Sequence, residues 1–152
     1  MKKILIAGIG NIFFGDDAFG CEVVKLLKNH QLPENIKIID FGIKTRDLAF
    51  ELCENYDLVV LIDAINIVKT NDLITFIEIE PESFTKGFQI NSHELKLEET
   101  LIFAQNLGAK FQKIILCGYK AESFEFNAEQ SPTFNQAVNE AVNKIEKLIE
   151  KI

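Results

Sequence analysis

At 152 residues, with 47% hydrophobic and 26% charged positions, the chain has the size and balance of one globular domain, spanning residues 1–152, and folding at that length buries roughly 70% of the surface an unfolded chain exposes. Sixteen basic against 23 acidic residues leave a net charge of -7, which disfavours nucleic acid and anionic lipid as partners unless a basic patch opposes it. No such patch is visible: the densest basic group lies along the last helix, interleaved with Glu140, Glu146 and Glu150, the pattern of a solvated face.

The chain opens MKKILIAGIGN, two lysines before a short apolar run that ends in Gly-Asn without a small-residue cleavage site, so it reads as a first strand rather than a signal segment. Further Ile-, Val- and Leu-rich runs at Ile36 to Asp40, Leu58 to Ile62, Leu73 to Ile79 and Lys113 to Gly118 predict four more strands after the first at Lys3 to Ala7. Helical spacing occupies Ala18 to Asn29, Arg46 to Glu54, Glu94 to Leu107 and Thr133 to Ile152. In the last of these, Phe134, Val138, Ala141, Ile145, Leu148 and Ile152 fall on one stripe, with Ser131 expected as N-cap and Pro132 as the first helical residue.

Strands alternating with helices predict an α/β fold, a three-layer α/β/α sandwich around a mostly parallel five-stranded twisted sheet. The connection from Asp63 to Asp72 is too short and polar for a crossover helix, which leaves strand four to run antiparallel at an edge. The Pro81 to Asn91 stretch is the longest candidate loop, and long loops at a sheet edge often carry function. No apolar run approaches the ~20 residues of a membrane helix, and Cys21, Cys53 and Cys117 are odd in number and embedded in apolar pattern. Buried free thiols in a cytoplasmic protein are the expectation; a monomer is the default state.

The turn after the first strand, GIGNIFFGDDAFG at 8–20, invites a dinucleotide-binding reading, with Asp40 where a ribose-binding carboxylate would stand. Phe13 at the third glycine position opposes it. So do Asp16 and Asp17, two negative charges where a pyrophosphate would need a helix N-terminus to itself. One aspartate is enough to cap a helix, so Asp17 is free to face the crevice beyond the strand ends, with Asp16 helping to orient Asp17 or a water. Asp63 ends the third predicted strand at the same edge, although a turn-forming role would suit it equally. His93, in NSHEL, opens the third helix, where an ordinary structural histidine is the plainer reading. His30 follows the first helix at the opposite end of the sheet and is assigned only a C-terminal dipole role. Convergence of Asp17, Asp63 and His93 would give a mixed O/O/N set, suited to zinc, nickel, manganese or iron rather than calcium. With open coordination positions, a metal there could polarise a peptide carbonyl or activate water for amide hydrolysis. Phe13 and Phe14 line the groove or belong to the core.

GIGNIFFGDDAFG, then LVVLIDA at 58–64, NSHEL at 91–95, CGY at 117–119 and the SPTF start of the last helix together resemble the hydrogenase maturation endopeptidases in order and spacing, over nearly the whole chain. The resemblance implies a hydrolase that trims the C-terminal extension from the large-subunit precursor of a nickel-iron hydrogenase, a metal-dependent endopeptidase placed with the aspartic type in some classifications. It implies nickel supplied by the precursor rather than held permanently, zinc or another divalent ion standing in, and Asp17, Asp63 and His93 as the residues that grip it. Two departures stand out: Ala18 where many members have glycine, and Lys44-Thr45 where relatives place a second glycine after strand two. Two other readings compete. Paired acids, Asp63 and Lys120 mimic a phospho-receiver module, against which an eight-residue GIGNIFFG segment intervenes before the acids; and a non-catalytic nickel-binding maturation chaperone would bind metal and precursor without cutting.

Overall fold

The structure, a computed structural model, describes residues 1–66, 71–80, 92–110 and 112–152, with the backbone alone at residues 92–96. The long loop expected from Pro81 to Asn91 lies outside the described residues. Five strands, β1 (Ile4–Ile9), β2 (Ile36–Gly42), β3 (Leu58–Ile65), β4 (Ile74–Ile79) and β5 (Ile114–Lys120), form one sheet in the order β2-β1-β3-β5-β4. Among the described residues four α-helices accompany it: α1 (Phe19–Leu27), α2 (Thr45–Leu52), α3 (Ser92–Asn106) and α4 (Phe134–Glu150). All pairings are parallel except β4 with β5, so the edge strand runs antiparallel as the short connection before it demands.

Alternation along the central strands decides which helix each face meets. Ile4, Ile6, Val60, Ile62, Cys117 and Tyr119 pack with Phe19, Val23 and Val24 of α1 and Ala137, Val138 and Ala141 of α4. Leu5, Ala7, Val59, Leu61, Ile65 and Leu116, one residue out of step, pack with Leu48 and Leu52 of α2 and Leu97, Leu101 and Ala104 of α3. Both faces being covered, these strands are buried along their length, the near-continuous apolar reading typical of a parallel sheet.

Of the predicted boundaries that move, two bear on the site. β3 continues past Ile62 to Ile65, so Asp63 stands inside the strand, in register with Gly118 of β5, rather than ending it. At α4 the cap is Thr133, without a side-chain hydrogen bond, and the helix starts at Phe134; Ser131 is not the N-cap and Pro132 not the first helical residue. The Ser131 hydroxyl has a partner elsewhere, described below. The thiols are all free, with Cys21 and Cys117 buried and Cys53 half-buried rather than fully enclosed.

The sheet order places β2 on one side of β1 and β3 on the other. Chains leaving β1 and β3 therefore diverge, and the crevice outside their C-terminal ends is where open α/β sheets take ligands. α1 can begin close to this crevice because Gly20 lies against the sheet: a Cβ there would sit 2.4 Å from the carbonyl oxygens of both Ile9 and Ile62.

Candidate active site

The crevice holds a cavity of about 340 Å³ lined by residues from three of the strands and the turns beyond them: Gly10 and Asn11 after β1, Gly42 at the end of β2 with Ile43 and Thr45 beyond it, and Asp63 in β3. Asp17, Phe14, Phe124 and Leu97 complete its walls. Thus the loop carrying the Lys44-Thr45 departure does lie at this edge, through Thr45.

Asp17 belongs to a single 3₁₀ turn, Gly15–Ala18, whose four residues are all buried and which runs directly into α1. Neither acid caps the helix through its side chain. Asp17 is 4% exposed, and its Oδ2 accepts the Asn11 N–H at 2.9 Å, which turns the carboxylate toward the loop after β1. Asp63, 3% exposed, is reached by the period-two step from Val59 and Leu61, so it projects on the α2–α3 side of the sheet, where Leu97 also contributes to the cavity wall. Two carboxylates distant in sequence therefore share one small, largely apolar enclosure. Low polarity there strengthens the interaction of each with any cation that enters.

His93 lies in the first turn of α3, one helical turn before Leu97; its side chain lies outside the described residues. Among the described residues no group of three metal-ligating side chains occurs, so Asp17 and Asp63 are the donors of the expected set that the structure brings together.

Asp16 makes its side-chain contacts away from the cavity, so it does not reach a water held there. Fully buried, its carboxylate faces the segment between β5 and α4: Oδ1 accepts the Ser131 N–H at 2.7 Å, and Oδ2 accepts the Glu122 and Ser123 N–H groups at 3.1 Å each and the Ser131 hydroxyl. Successive side chains in a 3₁₀ turn project about 120° apart, which accounts for the division.

Asp40 accepts the Gly42 N–H at 3.0 Å and the Cys21 thiol at 3.2 Å, ordering the loop after β2. Burial, reinforced by that hydrogen bond and by the charges of Asp40, Asp17 and Glu22, pushes the Cys21 thiol well up. Phe14 reaches the cavity wall and meets Phe126, ring centroids 5.6 Å apart, while Phe13 is 59% exposed beside it. His30 meets Glu146 of α4 through Nδ1 and takes no part in the cavity. Sequence reasoning missed Phe124 as a wall residue; no local signal marks it.

The family model for HycI, hydrogenase maturation protease, matches residues 21–151. A Methanocaldococcus jannaschii chain, provisionally named a hydrogenase maturation protease, is 30% identical over 149 residues, 97% of this chain and 94% of that one. The hydrogenase 2 maturation protease of Escherichia coli is 29% identical over 146 residues, 94% of this chain and 88% of its own. Among solved structures, the hydrogenase maturating endopeptidase HybD from E. coli matches with a TM-score of 0.80 at 28% identity, covering 98% of this chain and 93% of that chain. A family of proteases favours peptide-bond hydrolysis over the phospho-receiver and chaperone readings. The matches run across Asp63 and His93, and the two whole-length relatives also take in the turn that carries Asp17. This chain belongs to the hydrogenase maturation protease family.

Proposed function

We propose that this protease removes the C-terminal extension of a nickel-iron hydrogenase large-subunit precursor after nickel insertion, gripping the precursor's nickel through Asp17, Asp63 and His93. The observation that carries the reading is the pair of buried carboxylates, Asp17 and Asp63, on one cavity at the diverging ends of β1 and β3. Oxygen donors of this kind, joined by the imidazole that α3 carries in its first turn, suit a borderline divalent ion, and three protein ligands leave room for others. The nickel is part of the substrate. Held there, it would polarise the scissile carbonyl or activate a water, either contributing several kcal/mol toward hydrolysis. Phe14, Phe124 and Ile43 supply apolar walls for the extension. Among the described residues no helix is long and apolar enough to cross a membrane, and three free thiols suit the reducing cytoplasm.

The test is incubation of nickel-loaded precursor with the protein, followed by mass measurement of the product. Wild type is expected to shorten the precursor at its C-terminus, while Asp17→Asn, Asp63→Asn and His93→Ala slow cleavage by about a hundredfold or more. Precursor loaded with no metal should stay whole. An intact nickel-loaded precursor with wild type, or undiminished cutting by Asp17→Asn, overturns the proposal.

A further inference from the structure

We infer that Asp16 and Ser131 form a latch that fixes the aim of Asp17 relative to Asp63, making the β5–α4 segment part of the cleavage machinery. The inference rests on the proposed function, in which those two acids act on one ion. Asp16 is a positioning residue here, since its own carboxylate faces away from the cavity.

The geometry is a continuous chain of hydrogen bonds. Asp63 sits in β3, and two residues later the Ile65 carbonyl accepts the Ala121 N–H at 3.0 Å, which roots the β5–α4 segment on the same strand. Glu122, Ser123 and Ser131 then present three backbone N–H groups and a hydroxyl to the Asp16 carboxylate. The Asp16 N–H returns a bond to the Ser123 carbonyl at 2.7 Å, and the Asn127 N–H donates to the Phe13 carbonyl at 2.8 Å. Residues 13–16 are thus stitched to the segment rooted on β3, and Asp17 is the next residue. A carboxylate that accepts four bonds while fully buried has one orientation available to it. Because the turn is a tight one, that orientation sets the backbone from which Asp17 projects. Two acids separated by long stretches of chain need such a tie if both are to reach one ion, since misplacement of about 1 Å costs on the order of a hundredfold in rate.

Asp16→Asn places an amide NH2 or a weaker acceptor against N–H donors, and Ser131→Ala deletes the hydroxyl contact to Asp16, and with it one to Tyr119, without changing charge; Ser131→Thr keeps the hydroxyl. Tyr56→Phe, which removes the hydroxyl donated to Glu51 on the α2 side, serves as a stability control away from the cavity. Each is assayed on nickel-loaded precursor well below its melting temperature. The carboxyl carbon resonance of Asp17 in the isolated protein, assigned by its loss in Asp17→Asn, is followed in parallel. Expected are a fall in kcat/KM of about tenfold or more for Asp16→Asn, a smaller fall for Ser131→Ala, recovery to within about twofold in Ser131→Thr, and near wild-type turnover for Tyr56→Phe. The Asp17 resonance should move in the first two variants and stay in the control. A resonance that does not move overturns the latch whatever the activity, as does a loss no larger than that of Tyr56→Phe. If wild type leaves the precursor whole, the functional reading fails and the resonance alone decides the latch.

Discussion

Replacing Gly10 by alanine puts a methyl carbon 2.0 Å from the carbonyl oxygen of Asp17, on a residue whose φ is +132°. Two costs combine. A non-glycine residue held in so sparsely populated a backbone region costs of order 1–3 kcal/mol. Forcing a methyl into filled space costs typically about 1–3 kcal/mol more, and the atom it meets is backbone, which cannot swing aside as a long side chain would. Together the expected loss is roughly 2–6 kcal/mol, and in a chain of this size each kcal/mol lowers the melting temperature by about 2–4 °C. Gly42→Ala provides the comparison: its φ is +56°, and the nearest atom to a new Cβ is 3.7 Å away, so only the left-handed strain of about 1–2 kcal/mol applies. Differential scanning calorimetry of both variants should therefore show Gly10→Ala melting well below Gly42→Ala. Cleavage by Gly10→Ala should also fall at temperatures where it remains folded, because relief of the clash displaces the turn that bears Asp17. Equal melting temperatures for the two variants, with cleavage intact in Gly10→Ala, would refute the claim that close approach at Gly10 holds the acid in place.

Glu51 gives a pH dependence. Burial raises its pKa, but hydrogen bonds from Lys37 and Tyr56, with the charges of Lys37 and Lys3, outweigh that and hold it below the usual 4.5. A depressed folded-state pKa contributes stability that is present above the unfolded value and lost as pH falls through the folded one. The melting-temperature gap between wild type and Glu51→Gln should accordingly narrow as pH drops below about 4.5; a constant gap down to about pH 3 counts against the assignment. Tyr119→Phe deletes the 2.9 Å contact between the phenol oxygen and Thr133 Oγ1 and the hydrogen bond to Ser131 but keeps the ring against Phe19 and Phe134, centroids 5.0 and 6.1 Å away. Calorimetry should register a loss of about 1–3 kcal/mol, and a much larger one would show that the hydroxyl orders the start of α4. Burial pushes the Cys21 and Cys117 thiols far above their ordinary range, so mass spectrometry after alkylation near pH 8 should find half-buried Cys53 modified first.

The strands were readable because a doubly covered parallel sheet leaves an unmistakable trace: LVVLI has no polar residue to alternate with, and both its neighbours are equally apolar. The antiparallel edge was readable too, from a connection too short to cross over. Where reading failed, the winning interaction came from far along the chain. Ser131-Pro132 carries a convincing local signature of a helix start, yet the hydroxyl goes to Asp16 and the helix waits until Phe134. Asp63 looks like a strand terminator because aspartate is a turn former. It stays in the strand because β5 continues alongside to Lys120 and the cavity receives its side chain.

The same division runs through the site. Its placement at the ends of β1 and β3 follows from local pattern and sheet order, and so does the candidacy of Asp17. A supporting task for Asp16 was expected, but its partners on the β5–α4 segment were not, because two neighbouring aspartates are chemically alike until the fold supplies different surroundings. Three N–H groups and a hydroxyl surround one of them, satisfying its charge completely. The other opens onto a space with apolar walls and a second carboxylate. Two carboxylates in one enclosure of low polarity repel each other when both are ionised, at a free-energy cost that a divalent cation would reverse. If the cavity takes the metal-bearing substrate proposed for it, its affinity would come as much from what the fold keeps close together as from the ligands themselves, and the tie between Asp16 and the β5–α4 segment would then bear on the chemistry at Asp17.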